Sequence, residues 1–149
     1  MKTHLISFGL LLLTACGESR SVQCSQMGDI LNGTSTQLLS ASGTSTGFAQ
    51  GAALADQAAV DLAALNLEDK KLSSLRSHLV AAYQAIGQTS REMDAIAGAD
   101  GTVISNTRNR EVTARFEQAS QAFNTVFKAA QTYCNGGDVP PEFTEQPAP

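Results

Sequence analysis

Apolar residues recur at intervals of three and four in four separate segments of the chain, which is the spacing that buries one face of an α-helix. In the first segment the repeat steps by 3, 4, 3, 4 and 3 residues, and in the last by 4, 3, 4, 3, 4 and 3. Both segments therefore predict amphipathic helices. The two stripes are Cys24, Met27, Leu31, Thr34, Leu38 and Ala41, and Val112, Phe116, Ala119, Phe123, Val126, Ala130 and Tyr133.

The second and third segments follow the same rule with different side chains. The second, from about Phe48 to Leu65, is rich in alanine and carries two apolar rows. Because alanine fills little volume, this helix suits close approach to a neighbour and leaves room for a cavity. The rows are Ala53, Val60, Ala64 and Leu67, and Leu54, Ala58, Leu62 and Leu65. The third stripe is Leu72, Leu75, Leu79, Ala82, Ile86, Met93 and Ile96.

Short polar segments separate these helices. The sequence SGTSTG at 42–47 predicts a turn, and GADG at 98–101 ends the third helix. Before the third helix, Asn66 is placed to act as its N-cap and Asp69 lies in its first turn. The sequence NGG at 135–137 is typical of a helix end.

With connections this short, the simplest arrangement is an all-α, up-down-up-down four-helix bundle over residues 23–135. Residues 136–149 contain all four prolines of the chain. They predict a disordered tail, since such a segment carries too little apolar surface to bury.

The N-terminus has a different pattern. Lys2 precedes an apolar run from Leu5 to Leu13, which is shorter than the ~20 residues that span a bilayer as a helix. This pattern is typical of a secretory signal peptide; the alternative is a buried N-terminal helix. The prediction is a signal peptide over residues 1–15.

The sequence Leu13-Thr14-Ala15-Cys16 resembles the bacterial lipobox, in which an aliphatic and two small residues precede an obligatory cysteine. The resemblance implies that Cys16 carries a thioether-linked diacylglyceryl group and becomes the first residue of the mature chain, often with an acylated amine. Two or three acyl chains anchor a protein stably to a membrane. The mature part, with residues 16–22 as a tether, resembles small helical lipoproteins of bacteria.

Lipidation of Cys16 leaves Cys24 and Cys134 as an even pair. In an exported protein such a pair predicts a disulfide; two free buried thiols are the alternative. The bundle topology supports the disulfide independently, because the start of its first helix and the end of its fourth lie at the same end. Loss of Lys2 with the signal peptide changes the formal net charge from −4 to −5. An acidic chain with scattered basic residues argues against nucleic-acid binding.

Candidate chemistry is sparse. Only His78 remains as a histidine in the mature chain, and we interpret it as exposed or at the bundle edge. Arg108 and Arg115 share a helix face with Glu111, which favours a solvated ion-pair face over an anion site. Tyr83 and Tyr133 are interpreted as core-edge residues rather than ligand contacts, and Phe116, Phe123 and Phe127 as core residues. No catalytic, metal-binding or cofactor-binding residue is predicted, apart from the lipid on Cys16.

These patterns favour a non-enzymatic, lipid-anchored protein of the bacterial cell envelope with a structural or protein-interaction role. Its predicted partners are the membrane, through the lipid, and an envelope protein. Gly17, in place of aspartate after the lipidated cysteine, favours the outer membrane over the inner one by resemblance to enteric lipoproteins. The alternative is a bundle that binds a small ligand or acts as a sensor or inhibitor.

Overall fold

Four α-helices make up the fold, in the segments where the apolar repeats predict them. The computed structural model describes residues 19–41, 46–104 and 106–145. The helices are α1 (Arg20–Ala41), α2 (Gly47–Ala64), α3 (Lys70–Ile96) and α4 (Thr107–Cys134), and a short 3₁₀ helix, Pro141–Phe143, follows them. No strand occurs within those described ranges. The predicted all-α class is confirmed.

Consecutive helices pack side by side, α1 on α2, α2 on α3 and α3 on α4. The direct contact between α1 and α4 is small by comparison. These two helices are joined by a disulfide between Cys24 and Cys134, whose Cα atoms are 5.7 Å apart. The predicted up-down-up-down bundle and its Cys24–Cys134 disulfide are confirmed.

The core consists mainly of the predicted stripes of α1, α3 and α4. Leu72, Leu75 and Leu79 of α3 are fully buried, and α1 contributes Met27 and Leu31. The interpretation of Tyr83 as a core-edge residue was wrong, because its side chain is fully buried. Tyr83 follows Leu79 by one helical turn and therefore points to the same side of α3.

Helix α2 buries only one of its two predicted rows. Val60 is 63 % exposed, and Ala53 and Ala64 of its row are exposed as well. The buried side instead combines Leu62 with small residues at helical spacing, namely Gly51, Ala52, Ala55, Ala58 and Ala59. On α3, a Cβ atom at Gly87 would lie 3.5 Å from the carbonyl oxygen of Ala52. Small residues on both helices therefore allow the backbones to approach closely.

Polar side chains determine where α3 begins. The Asp69 carboxylate accepts hydrogen bonds from the backbone N–H groups of Lys71 (2.9 Å) and Leu72 (3.0 Å), so Asp69 is the N-cap. The prediction of Asn66 as N-cap was wrong. Gln23 of α1 accepts hydrogen bonds from the two backbone N–H groups that immediately precede α3, and helical geometry starts only after them.

The prediction of a disordered tail is corrected as far as Glu145. Val139 is 7 % exposed, and Phe143 packs against the core. The Ser74 hydroxyl and the His78 Nε2 atom both donate to the carbonyl oxygen of Glu145, at 2.9 and 2.7 Å. The tail stays ordered because it has two apolar anchors and a groove beside α3 to receive them. Residues 146–149 lie outside the described part of the chain.

Candidate functional site

A cleft of about 460 Å³ opens at the end of the bundle opposite to the disulfide. Phe116, on its wall, precedes Cys134 by 18 residues on α4. At 1.5 Å per residue, the cleft therefore lies roughly 27 Å from the disulfide along the bundle. Its lining comes from all four helices and from the α3–α4 connection: Leu38, Gly47, Phe48, Gly51, Ile86, Ser90, Asp100, Gly101, Thr102, Phe116 and Ser120.

The walls of the cleft are apolar. Leu38 of α1, Phe48 of α2, Ile86 of α3 and Phe116 of α4 each present a half-buried side chain. The rings of Phe48 and Phe116 meet edge to face, with centroids 6.0 Å apart. Leu38 and Phe116 belong to the predicted stripes of α1 and α4, but these helices have little contact with each other. Part of each apolar stripe is therefore left facing the cleft.

Gly51 makes part of this space. A Cβ atom built there would lie 3.8 Å from Leu38 Cδ2 and 3.9 Å from the Ser90 hydroxyl oxygen, which is ordinary van der Waals contact. Any longer side chain at this position would extend into the cleft. Helix α2 thus contributes to a cleft through Gly47, Phe48 and Gly51, whereas Ala55 and Ala58 pack in the core.

Ser90 is the buried polar group of the cleft. Its side chain is 3 % exposed and lines the cleft. No other described residue forms a hydrogen bond with its hydroxyl, in contrast to Ser120, whose hydroxyl donates to the Phe116 carbonyl at 2.9 Å. Among the described residues, the Tyr83 hydroxyl is the one buried side-chain N or O atom that lacks a partner, so the Ser90 oxygen, although its residue is buried, keeps contact with the open cleft. Ser90 can therefore donate to or accept from a group placed in the cleft.

The rim carries negative charge. Asp100 is exposed, and its carboxylate accepts hydrogen bonds from the Thr102 hydroxyl (2.7 Å) and backbone N–H (3.0 Å). These bonds, the one from the hydroxyl first, hold the pKa of Asp100 below its usual value. No lysine or arginine is among the described lining residues.

The opposite end of the bundle is held by a polar cluster beside the disulfide. The Tyr133 hydroxyl of α4 donates to the Asp69 carboxylate at 2.7 Å. Arg20 of α1 and Lys71 of α3 lie over the Tyr133 ring, 5.1 and 5.6 Å from its centroid. Gln23 of α1 accepts from the backbone N–H group of Asp69 at 3.1 Å. Three helix ends are thereby tied together next to the disulfide.

Asp69 has a double role in this cluster as helix cap and hydrogen-bond acceptor. Burial acts to raise the pKa of its carboxyl, but the bonds from Leu72, Tyr133 and Lys71 outweigh it and lower the pKa. Burial and the Asp69 carboxylate raise the pKa of Tyr133. The Asp69 carboxylate and the Tyr133 hydroxyl stabilise the fold, because each is engaged in a hydrogen bond with the other.

Tyr83 has the deepest hydroxyl group in the core. Burial raises the pKa of Tyr83 to about 12, and the nearby Thr34 side chain offsets part of this rise. No described residue meets the hydroxyl with the distance and angles of a hydrogen bond. The ring packs against Phe123, with centroids 4.7 Å apart. Tyr83 does not line the cleft, so we treat it as a core residue.

The remaining candidates from the sequence do not assemble into a site. Arg115 forms a partly exposed ion pair at 2.7 Å, as an ion-pair face predicts, but its partner is Glu92 of α3 rather than Glu111 of its own helix. Arg108 is exposed. His78 lies half-buried at the bundle edge, as expected, with its ring against Phe143 at 5.1 Å. Among the described residues no group of three His, Cys, Asp or Glu could hold a metal ion.

Cys16, the predicted lipidation residue, lies outside the described residues, as does the predicted signal peptide. Within residues 19–41, 46–104 and 106–145, no helix is long and apolar enough to cross a membrane. No protein-family model, curated protein or solved structure matches the chain.

The sequence did not predict Ser90 and Gly51 as residues of a cleft. The feature that could have indicated them is a small, unbranched residue between the core positions of α3 and of α2.

Proposed function

We propose that the chain is a lipid-anchored protein of the bacterial cell envelope that acts by binding, with no catalytic role. The observation that carries this proposal is the Cys24–Cys134 disulfide. Disulfides persist in oxidising compartments such as the periplasm and are rare in the cytosol. The disulfide thus supports export, which the sequence before Cys16 predicts.

The position of the disulfide fits an anchored protein. Cys24 follows Cys16 by eight residues, so the disulfide end of the bundle lies next to the proposed lipid. The polar cluster of Asp69 and Tyr133 lies at the same end, where it would face the membrane surface. The cleft is then directed away from the membrane, toward partners in the periplasmic space or at the cell surface.

The first candidate role is binding of an envelope protein through the exposed part of the bundle. The second is binding of a small ligand, and the cleft favours it. Ligand sites are concave, mostly apolar and about 300–1,000 Å³ in volume, with a few polar groups. The cleft, at about 460 Å³ with apolar walls and the Ser90 hydroxyl, meets this description.

Metabolic labelling in a bacterial host tests the anchor. Cells expressing the full chain receive an alkyne-tagged fatty acid, and the wild type is compared with Cys16→Ser. We expect label and membrane association in the wild type and neither in the variant. Cys24→Ala is the matched control, because it also removes one thiol but should keep the label. Labelling of Cys16→Ser, or an unlabelled wild type, would overturn the anchor.

Cross-linking in intact cells tests the binding role. We expect one envelope protein to be recovered with the wild type in amounts that fall when Cys16→Ser releases the bundle from the membrane. Cross-links that are equally abundant with and without the anchor would argue against a partner at the membrane.

A further inference from the structure

We propose that the cleft is a binding site for an uncharged, apolar small molecule that carries one hydroxyl or carbonyl group, with Ser90 as its hydrogen-bond partner. This inference rests on the small-ligand role proposed above and adds the chemical class of the ligand.

The apolar walls of the cleft favour a ligand that is mostly apolar. Leu38, Phe48, Ile86 and Phe116 come from four different helices, so a ligand between them would replace the side-chain packing that α1 and α4 lack at this end. Burial of apolar surface stabilises a complex by roughly 25 cal/mol per Å² before the costs of association. The volume of about 460 Å³ corresponds to roughly 15 water molecules at about 30 Å³ each, which suits a ligand of on the order of 15 non-hydrogen atoms.

The Ser90 hydroxyl favours a ligand that carries one hydrogen-bonding group. The Ser90 residue is 3 % exposed and lines the cleft, so its hydroxyl is open to a group placed in the cleft. A purely apolar ligand would leave this hydroxyl without a partner, whereas an alcohol or carbonyl would satisfy it. The 3.9 Å between the Ser90 oxygen and a Cβ position on Gly51 shows that the absence of a side chain on α2 keeps this space open.

The rim selects against negative charge. Asp100 is the charged residue of the described lining, and its lowered pKa keeps it ionised at neutral pH. A carboxylate or phosphate in the cleft would lose hydration without gaining a basic partner. An anionic analogue of the same ligand should therefore bind more weakly than the alcohol.

Photo-cross-linking tests the site in the full chain. The probe is a decan-1-ol analogue carrying a diazirine, and the readout is the position of the label after trypsin digestion and mass spectrometry. We expect label on the tryptic peptides 77–91 and 116–128, which contain Ser90 and Phe116. Unlabelled decan-1-ol should compete at least tenfold more strongly than decanoate. Equal competition, or label spread evenly over the chain, would overturn the proposal.

Two variants locate the interaction. Ser90→Ala should weaken competition by decan-1-ol about five- to tenfold, as expected for one hydrogen bond, and leave competition by n-decane unchanged. Gly51→Leu should fill the cleft and abolish labelling of both peptides, whereas Gly33→Leu, on an exposed position of α1, should not. If Ser90→Ala weakens both competitors equally, the hydrogen bond is refuted.

The outcome separates this inference from the broader proposal. If the alcohol probe does not label the cleft while Cys16 is lipidated and the envelope partner is recovered, the ligand is refuted and the interaction role stands. If the alcohol binds but Cys16 carries no lipid, the anchor fails and the ligand site stands.

Discussion

The disulfide should provide most of the stability that holds α1 to α4, and its removal gives a sharp test. The perturbation is Cys24→Ala with Cys134→Ala, which avoids free thiols. The two cysteines are separated by 110 residues. Closing a loop of this length reduces the entropy of the unfolded chain by about 16 cal/mol/K, or roughly 4.8 kcal/mol at 25 °C.

This free energy translates into a large thermal shift. The entropy of unfolding is about 2.1 cal/mol/K per residue, or roughly 0.25 kcal/mol/K for a bundle of about 120 residues. The melting temperature of the double variant should therefore fall by about 20 °C. The urea m-value should also rise, because the unfolded chain without the cross-link exposes more surface.

Circular dichroism during heating and urea titration measures both quantities. The wild type under reducing conditions is the matched control, since it loses the bond and keeps both sulfur atoms. The reduced wild type and the double variant should agree within about 1 kcal/mol. A fall of less than 5 °C, with an unchanged m-value, would refute the loop-closure reasoning and show that packing alone holds α1 to α4.

Three further predictions concern single residues. Gly136 has φ +93°, a conformation that costs an alanine more than a glycine, so Gly136→Ala should lower the free energy of unfolding by about 1–2 kcal/mol in a urea titration. Gly33→Ala is the control, because nothing lies within 4 Å of its Cβ position. It should raise the free energy of unfolding by up to about 1 kcal/mol. The lowered pKa of Asp69 implies a stabilisation that is present above its unfolded pKa of about 3.9 and is lost as pH falls through the folded pKa. The stability difference between wild type and Asp69→Asn, which keeps a capping oxygen, should thus shrink in urea titrations from pH 5 to 2.5; a constant difference would contradict this. Tyr83→Phe removes a buried hydroxyl without a hydrogen bond and should raise the free energy of unfolding by roughly 1 kcal/mol; a loss of 1 kcal/mol instead would indicate a bond to Thr34.

The sequence determined the elements of this protein and their order. A repeat of three and four residues requires a helix to place its apolar side chains on one face, so the stripes of α1, α3 and α4 were readable without a structure. The disulfide was also predictable, because an antiparallel four-helix bundle brings Cys24 and Cys134 to the same end. Lipidation of Cys16 remains a prediction from the sequence alone.

Tertiary structure decided which of several suitable surfaces is buried. On α2 both rows were apolar enough, and packing selected the row with Ala58 and Leu62, together with small residues from outside both rows such as Ala55 and Ala59. Val139 and Phe143 illustrate the same limit: a tail with few apolar residues is ordered only if a matching groove exists, and no local pattern encodes that groove.

The cleft depends on tertiary structure most of all. Leu38 and Phe116 have the spacing of core residues, and periodicity cannot distinguish a position that meets a neighbour from one that does not. The role of Gly51 and Ser90 depends on the neighbouring helix: a Cβ atom at Gly51 would lie 3.9 Å from the Ser90 hydroxyl oxygen. The apolar repeats predict the inward face of α1, α3 and α4, whereas the separation of α1 and α4 decides whether that face is filled or left open.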